Sequence, residues 1–443
     1  MIIKNLKRIT DLIIIKIKNL IVHPLFSGSF IMMAGSMVVN VVSYIYHLLM
    51  GRIMGPIDYG VLASISSVLY ITTIIPSSAS ISIVKFIASA KSITERSKIY
   101  WSINKFVFRL ALALGICFAL LAPFISEFLN ISDSFIVVLI APILFFGVIT
   151  LVNMSTMQGV LKFFGVIGPS LTSALGKLIF GLAFVYWGYS VLGAVWGVVI
   201  GTILAYILSF FMIKGTVFGI RESGEYKLGK FLKYSLPVLL QSLAFTSFFT
   251  SDVILVKHFL TSYDAGIYAA LSNLGKIVFF ASAPIAATMF PIITQRYSKG
   301  ENYSNVLLAS IVATAAISLG VCLIYFIFPK FAVVTLYGDK YLSASQNLFL
   351  MGLFIAFYSI SYLLTNFYLS IGNIGMVYYP LVIAAFQIIG ITIWHDNIGV
   401  VIKISLFLMI VLTLALSSFL RYNLSLTKNE KEKDFAFRSG SRI

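Results

Sequence analysis

The sequence predicts an all-α integral membrane protein with about twelve transmembrane helices in two six-helix bundles. Three observations support this prediction: the composition, a succession of long apolar segments, and an uneven distribution of lysine and arginine between the loops. Of the 443 residues, 60% are hydrophobic and 11% are charged, whereas soluble domains carry about a quarter charged residues and under half apolar ones. A soluble fold cannot bury this much apolar surface, so most of the chain is expected to lie in lipid.

The apolar segments have the length that membrane crossing requires, because a helix needs about 20 apolar residues to span the hydrocarbon core. Twelve such segments follow one another along the chain. The predicted spans are 27–50, 61–86, 106–128, 134–154, 164–187, 190–213, 234–257, 265–292, 305–329, 345–369, 375–394 and 398–420.

The charged residues orient these spans. With the N-terminus in the cytoplasm, the inner segments hold 25 lysines and arginines and the outer segments hold 5. Cytoplasmic loops are enriched in these residues, so the protein is predicted to lie in the cell membrane with both termini in the cytoplasm. The net charge of +17 follows from this orientation, and no nucleic-acid partner is expected.

The longest inner loop between spans divides the chain. This predicted cytoplasmic linker, 214–233, separates an N-terminal bundle at 27–213 from a C-terminal bundle at 234–420. Before the first bundle, 1–26 is predicted to form a basic amphipathic helix on the membrane surface, because its charged and apolar residues fall on opposite helical faces. After the second bundle, 421–443 is predicted to be a charged, disordered cytoplasmic tail.

A short repeat relates the two halves. A shift of 206 residues places Asp58–Ser66 on Asp264–Ser272, and both segments lie at the outer start of the second span of their half. Each half has an even number of spans and therefore the same orientation, so the expected relation is a pseudo-two-fold axis along the membrane normal. The identical pairs are Asp58/Asp264, Gly60/Gly266, Ala63/Ala269 and Ser66/Ser272.

The segment after the first span, Gly51–Gly60, reads GRIMGPIDYG. It resembles the G-R-x-L-G-P-x-x-Y-G signature of polysaccharide and oligosaccharide flippases of the O-antigen type, which belong to the multidrug/oligosaccharidyl-lipid/polysaccharide (MOP) exporter superfamily. The second half resembles the same family through Tyr234–Pro237, Asp252 and Tyr263–Tyr268. Met54 stands where the family usually has leucine, a change that conserves volume.

This resemblance implies two six-helix bundles that open alternately to either side of the membrane. It implies as cargo an oligosaccharide on a polyprenyl diphosphate, which the protein would pass from the inner to the outer leaflet without ATP hydrolysis. The alternative within the superfamily is a cation-coupled multidrug exporter. Lipid II flippases of the superfamily usually carry two further spans, which the sequence does not show.

The polar segments carry no signature of catalysis or of a cofactor. They hold no paired carboxylates, no glycine-rich nucleotide loop and no zinc-ligand spacing. Cys117 and Cys322 lie in separate apolar segments, too far apart in sequence to form a metal-ligand motif. We therefore expect no enzymatic activity, no metal and no other cofactor.

Three charged residues lie within predicted spans, where each costs about 2.5–3.5 kcal/mol on insertion scales and is a candidate for function. Lys177 and Lys276 are candidates for binding the anionic cargo, because ammonium groups complement a lipid diphosphate as point charges. Asp252 fits either an ion pair with Lys276 or a site for a coupling proton or sodium ion. Asn40 and Gln241 fit either hydrogen bonds to sugar hydroxyls or contacts between helices.

The motif residues Arg52, Gly55, Pro56, Asp58 and Gly60 lie at the predicted outer end of the first two spans. They fit an outer gate that closes against the other bundle. They also fit a local Arg52–Asp58 ion pair that fixes a Gly-Pro turn. Both interpretations agree with the sequence.

Overall fold

The computed structural model of the protein describes residues 24–90, 92–217 and 229–440. Within these residues every regular element is a helix, as the composition predicts. The surface helix predicted for 1–26 lies outside the described residues, apart from its last three positions.

Eight α-helices lie in the part of the chain that is described before residue 218. A π-helical turn, Val185–Tyr189, joins the last two of them and contains Gly188 with a left-handed φ of 94°. The helices are α1 (Pro24–Met54), α2 (Pro56–Thr72), α3 (Ile74–Ser89), α4 (Ile93–Phe128), α5 (Ser134–Val138), α6 (Ile140–Gly159), α7 (Phe164–Phe184) and α8 (Ser190–Val217).

A further eight α-helices lie in 229–440. Two 3-10 segments, Asp339–Gln346 and Ile374–Val377, precede the sixth and seventh of them. The helices are α9 (Gly229–Phe248), α10 (Ser251–Phe259), α11 (Ser262–Ser298), α12 (Ser304–Ile327), α13 (Pro329–Tyr337), α14 (Leu348–Ser370), α15 (Tyr378–Ile393) and α16 (Ile398–Gly440).

Two boundaries differ from the prediction. The helix α16 continues to Gly440, so the disorder predicted for 421–443 is wrong over nearly all of that tail. The helix α9 begins at Gly229, inside the predicted linker 214–233. In both places charged residues lowered the mean hydropathy below that of a span, although lysine, arginine and glutamate are good helix formers.

The helices correspond to the twelve predicted spans, although several spans are not single straight helices. By length and hydropathy, nine described helical segments qualify as spans. That count joins α7 and α8 into Phe164–Thr216 and omits α9 with α10, which meet at a bend of 41°. It also omits α2 and α3, which have 17 and 16 residues. Separating α7 from α8 and taking each broken pair as one span accounts for twelve.

The second span is broken between α2 and α3. The break falls at Thr73, and Pro76 occupies the first turn of α3. Proline lacks the N–H that would continue the hydrogen-bond ladder from the preceding helix, but it is tolerated in a first turn. The chain therefore starts a new helix here although its apolar character is continuous.

The described helices form two compact units. One comprises the described residues up to Met54 and those of Thr72–Leu239, and the other comprises Gly55–Ile71 and those from Leu240 onward. The prediction placed all of 27–213 in one bundle, whereas nearly all of α2 groups with the second unit. The break in the second span permits this division, because α2 packs on α11 and α3 packs on α6.

In the first unit, α7 and α8 lie against each other along a row of glycines. A Cβ added to Gly201 would lie 2.7 Å from backbone atoms of Ser173 and Lys177, and one added to Gly176 would lie 2.7 Å from the Cα of Gly201. Small residues let helix backbones approach closely where no hydrophobic effect drives association. These glycines are therefore required for the α7–α8 contact.

In the second unit, α14 is the most buried helix and packs against α11, α12 and α16. Buried polar side chains link it and its neighbours. Gln387 on α15 donates hydrogen bonds to the carbonyl of Phe248 and to the hydroxyl of Ser405, and Tyr358 on α14 donates to the carbonyl of Phe245. Such bonds hold helices together in lipid, at about 0.6 kcal/mol each on average.

Candidate functional site

The two copies of the sequence repeat, on α2 and α11, contact each other. A Cβ added to Gly60 would lie 2.8 Å from the backbone nitrogen of Gly266, and one added to Gly266 would overlap the carbonyl group of Pro56. Neither position has room for a side chain, so the approach depends on both glycines. Residues that the 206-residue shift equates therefore meet in space, as residues on a local two-fold axis do.

A second pair of equivalent residues meets farther along the same helices. The shift equates Tyr70 with Lys276, and the Nζ of Lys276 lies 5.9 Å from the centre of the Tyr70 ring. Positions 60 and 70 are separated by about 15 Å along a helix at 1.5 Å per residue. At both positions, therefore, a residue of α2 lies near its equivalent on α11.

The ammonium group of Lys276 is surrounded by aromatic and amide groups. Besides Tyr70, its Nζ lies 5.2 Å from the centre of the Phe249 ring and donates a hydrogen bond of 3.4 Å to the Oδ1 of Asn273. The side chain is partly exposed. Among the contacts of the described residues, no carboxylate bonds it directly, so the charge is available to an anion.

Asp252 is fully buried near the start of α10. Its carboxylate accepts hydrogen bonds from the hydroxyl of Tyr268, at 2.6 Å, and from the backbone nitrogen of Val253, at 2.8 Å. Lys276 lies within electrostatic range, but its ammonium is not among the hydrogen-bond partners described for this carboxylate. The Asp252–Lys276 interaction is therefore long-range. The ion-pair interpretation expected Lys276 to bond the Asp252 carboxylate, and Tyr268 bonds it instead.

A buried polar chain extends from Lys276 toward the outer segments. Asn273, which accepts from Lys276, donates from its Nδ2 to the hydroxyl of Tyr59. That hydroxyl also shares a hydrogen bond of 3.2 Å with the hydroxyl of Tyr337 on α13. The motif residue Tyr59 thus attaches α2 to α11 and α13. Sequence reasoning missed Asn273 and Tyr337, although Asn273 precedes Lys276 by one helical turn.

Lys177 lies on α7 in the other unit, at the glycine-lined contact with α8. Its Nζ is 5.2 Å from the centre of the Tyr46 ring on α1, and the Tyr46 hydroxyl donates to the carbonyl of Ala194 on α8. The side chain is partly exposed. Lys177 and Lys276 therefore share one arrangement, in which an ammonium group rests on an aromatic ring instead of a carboxylate.

The motif between α1 and α2 has the geometry of a tight helix-to-helix turn. Gly55 has a φ of 80°, a left-handed conformation that favours glycine, and Pro56 occupies the first position of α2, where a missing N–H costs little. Arg52 is exposed in the last turn of α1, and Asp58 is half-buried in the first turn of α2. Gly60 completes the motif at the crossing with α11.

The remaining candidates differ in exposure. Asn40 is exposed on α1, whereas Gln241 is buried on α9. Lys257, the last residue of the predicted span 234–257, is a buried residue of α10 with 1% exposure, and its Nζ donates to the hydroxyl of Ser262 at 3.1 Å.

A match to a protein-family model identifies the family of this chain. The model described as "Polysaccharide biosynthesis protein" matches residues 49–346, which is more than half of the chain. The chain belongs to this polysaccharide biosynthesis family. The matched region includes both copies of the repeat and Lys177, Asp252 and Lys276. A comparison with curated protein sequences finds no match.

Solved transporter structures share the fold of this family member at low sequence identity. "Lipid II flippase MurJ, inward closed conformation" is 16% identical with a TM-score of 0.73, over 88% of this chain and 87% of that one. An inward-facing "multidrug resistance MATE family transporter of the MOP superfamily" is 16% identical with a TM-score of 0.66, over 87% and 96%. An outward-facing structure with the same description is 15% identical with a TM-score of 0.60, over 93% of this chain and 98% of that one.

The family match and the structural similarities agree with the motif resemblance. The chain is a multi-pass membrane protein with the fold of MOP-superfamily transporters, as predicted.

Proposed function

We propose that this protein moves a polyprenyl-diphosphate-linked oligosaccharide from the inner to the outer leaflet of the cell membrane, for assembly of a cell-surface polysaccharide or glycan. The observation that carries the proposal is Lys276, a partly exposed ammonium within a transmembrane helix to which no carboxylate of the described residues bonds directly. Membership of a polysaccharide biosynthesis family supports a sugar cargo. The transporter folds of similar proteins support translocation rather than enzymatic chemistry.

The two lysines would bind the anionic part of the cargo. Each ammonium group now rests on an aromatic ring, an interaction worth about 0.5–2 kcal/mol. A phosphate oxygen offers a charge-assisted hydrogen bond, which is roughly twice as strong as a neutral one. Lys276 and Lys177 can therefore exchange ring contacts for phosphate contacts, while Asn40 supplies a polar group on α1. Gln241, being buried, is better suited to the contacts between helices.

The contact between α2 and α11 would form the outer gate. Pro56 and Gly60 belong to the first half of the sequence and touch Gly266 in the second half, which favours the gate over a purely local Arg52–Asp58 ion pair. Alternating access then requires α2 to leave α11 when the site opens outward, with the break at Thr73 as the joint. Both termini would face the cytoplasm.

The driving force would not come from ATP hydrolysis by this chain. An inside-negative potential favours outward movement of an anion by about 2.3 kcal/mol per charge per 100 mV. A coupling proton or sodium ion is the other source, and the buried Asp252 with its Tyr268 hydrogen bond is the candidate site. Dissipating the potential and each ion gradient separately during transport identifies which of them drives the cycle.

The second candidate function is export of cationic drugs. It is favoured by the buried acid Asp252 and by the fold that the protein shares with multidrug transporters. A cationic cargo would need this carboxylate, whereas the lysines would repel it. The two functions therefore predict opposite sensitivities to substitution of Lys276.

The test uses purified protein in liposomes with a short oligosaccharide on polyprenyl diphosphate. We expect the sugar head group to become accessible on the far side, and the rate to fall roughly tenfold or more in Lys276→Gln, because about 1.4 kcal/mol of lost charge-assisted bonding corresponds to tenfold. Lys403→Gln, which alters an exposed lysine of α16, serves as the matched control. Efflux of a cationic dye without transfer of the sugar lipid would contradict the proposal and favour drug export.

A further inference from the structure

Tyr70 has a position that the proposed transport mechanism does not yet use. It lies in the last turn of α2, just before the break at Thr73, and 45% of its side chain is exposed. Its ring faces the ammonium of Lys276 on α11. An exposed aromatic ring at this point presents a flat apolar surface directly beside a positive charge.

The second ring near the ammonium differs from Tyr70 in its surroundings. Phe249 lies in the break between α9 and α10 and packs edge-on against Tyr358, with ring centres 5.4 Å apart. It is partly buried and has a packing role within the second unit. Of the two rings beside Lys276, Tyr70 is thus the more exposed and the better placed to meet a ligand.

The repeat has different residue types at the two equivalent positions of this pair. The 206-residue shift equates position 70 with position 276. Two lysines here would bring like charges within about 6 Å of each other and repel, and two tyrosines would leave no charge at all. One tyrosine and one lysine provide an aromatic face and a cation side by side.

We infer that Tyr70 and Lys276 form one subsite, in which Tyr70 stacks on the first sugar of the cargo while Lys276 binds the diphosphate. This inference rests on the proposed function. In a polyprenyl-diphosphate sugar, the first sugar ring is bonded directly to a phosphate, so ring and charge are adjacent in the ligand as they are in the site, where 5.9 Å separates the Tyr70 ring centre from Nζ. The C–H face of a sugar ring carries partial positive charge and complements the negative face of an aromatic ring.

The subsite implies that the protein recognises the diphosphate and the first sugar together. Sugars farther along the chain would contribute less, because the pair offers one ring and one charge. Polyprenyl diphosphate without a sugar would still meet Lys276, but it would gain nothing from Tyr70. The contributions of the two side chains to binding can therefore be distinguished by comparing the two ligands.

The experiment measures equilibrium binding of two ligands, the short oligosaccharide on polyprenyl diphosphate and polyprenyl diphosphate alone, to the full-length protein in nanodiscs. For Tyr70→Leu we expect binding of the sugar lipid to weaken roughly three- to tenfold, since aromatic stacking contributes about 0.5–1.5 kcal/mol. Binding of the sugar-free lipid should not change. Tyr70→Phe, which keeps the ring, should bind both ligands nearly as the wild type does, and Lys276→Gln should weaken both.

Tyr186→Leu is the matched control, because Tyr186 is an exposed tyrosine in the π-helical turn of the other unit. It should leave both affinities unchanged. Equal weakening of both ligands in Tyr70→Leu, or no weakening of either, would overturn the subsite while leaving the proposed function intact. Failure of the wild-type protein to bind the sugar lipid would overturn the proposed function together with the subsite.

Discussion

Glycines permit close helix contacts in both units, but the two contacts differ in extent. Between α7 and α8, close approaches recur over more than one turn: Gly176 meets Gly201, and Gly181 meets Gly197. These two helices follow each other in sequence and are joined by a five-residue π-helical turn. Separating them would break a long contact while the chain connection held them together.

Between α2 and α11, the glycine contact is one crossing. Gly60 meets Gly266, and the helices come from different halves of the sequence. Few packing contacts are lost when one crossing opens, so its free-energy cost is smaller than that of a continuous helix pair. The same residue type thus suits a permanent contact in one place and a separable contact in the other.

The largest effect is expected when the α7–α8 contact is broken. In Gly201→Leu the new side chain meets backbone atoms of Ser173 and Lys177, which cannot move aside without displacing α7. We expect destabilisation of about 3 kcal/mol or more, seen as loss of monodisperse protein and a lower melting temperature. Gly320→Leu is the control, because no atom of the described residues lies within 4 Å of a Cβ at that position of α12. Normal melting of the Gly201 variant would show that the contact is not required.

A smaller and different effect is expected at the α2–α11 crossing. Gly266→Ala places a methyl group against Pro56, at a contact that is able to open. We expect the protein to fold, but the closed crossing to lose about 1–3 kcal/mol, which shifts the equilibrium toward the separated form by roughly five- to 150-fold.

This shift is measured by cross-linking a cysteine pair at the exposed positions Ile57 and Tyr263, which flank the crossing. Cross-linking should decrease in Gly266→Ala and stay unchanged in Gly320→Ala. Misfolding as severe as that of Gly201→Leu would remove the distinction between the two contacts. Unchanged cross-linking would show that the crossing accommodates a methyl group.

The smallest effect concerns the hydrogen bonds beside the crossing. Tyr59→Phe removes the hydroxyl that accepts from Asn273 and pairs with Tyr337. The cost should be about 1 kcal/mol, because Asn273 loses one hydrogen-bond partner and keeps the other. Chemical denaturation should show this loss, while Tyr186→Phe at an exposed site should show none. Equal stability of both variants would mean that the polar chain does not support the crossing.

The sequence was sufficient to predict the helical spans and their number. Spans could be predicted because hydropathy reports whether a segment prefers lipid to water. The break at Thr73 was not predicted, because α2 and α3 are apolar on both sides of it. Hydropathy also says nothing about neighbours, so the grouping of Gly55–Ile71 with the second unit had to come from the structure.

The candidate site shows the same limit. The positions of Lys177 and Lys276 within helices could be inferred, because charges in apolar segments stand out. Their aromatic neighbours could not, since Tyr46 and Tyr70 come from helices far away in sequence. The repeat contained one unused indication: the shift that equates Gly60 with Gly266 also equates Tyr70 with Lys276, and both pairs are in contact.

The break at Thr73 also affects how much a transport cycle would disturb the surrounding lipid. A span that is divided into two rods can exchange helix partners at its outer end while its inner end stays anchored. In the proposed cycle the rod that changes partners, α2, has only 17 residues. Few lipid molecules need to be displaced by so short a rod, so the speed of the gate should depend more on the stiffness of this joint than on the viscosity of the surrounding bilayer.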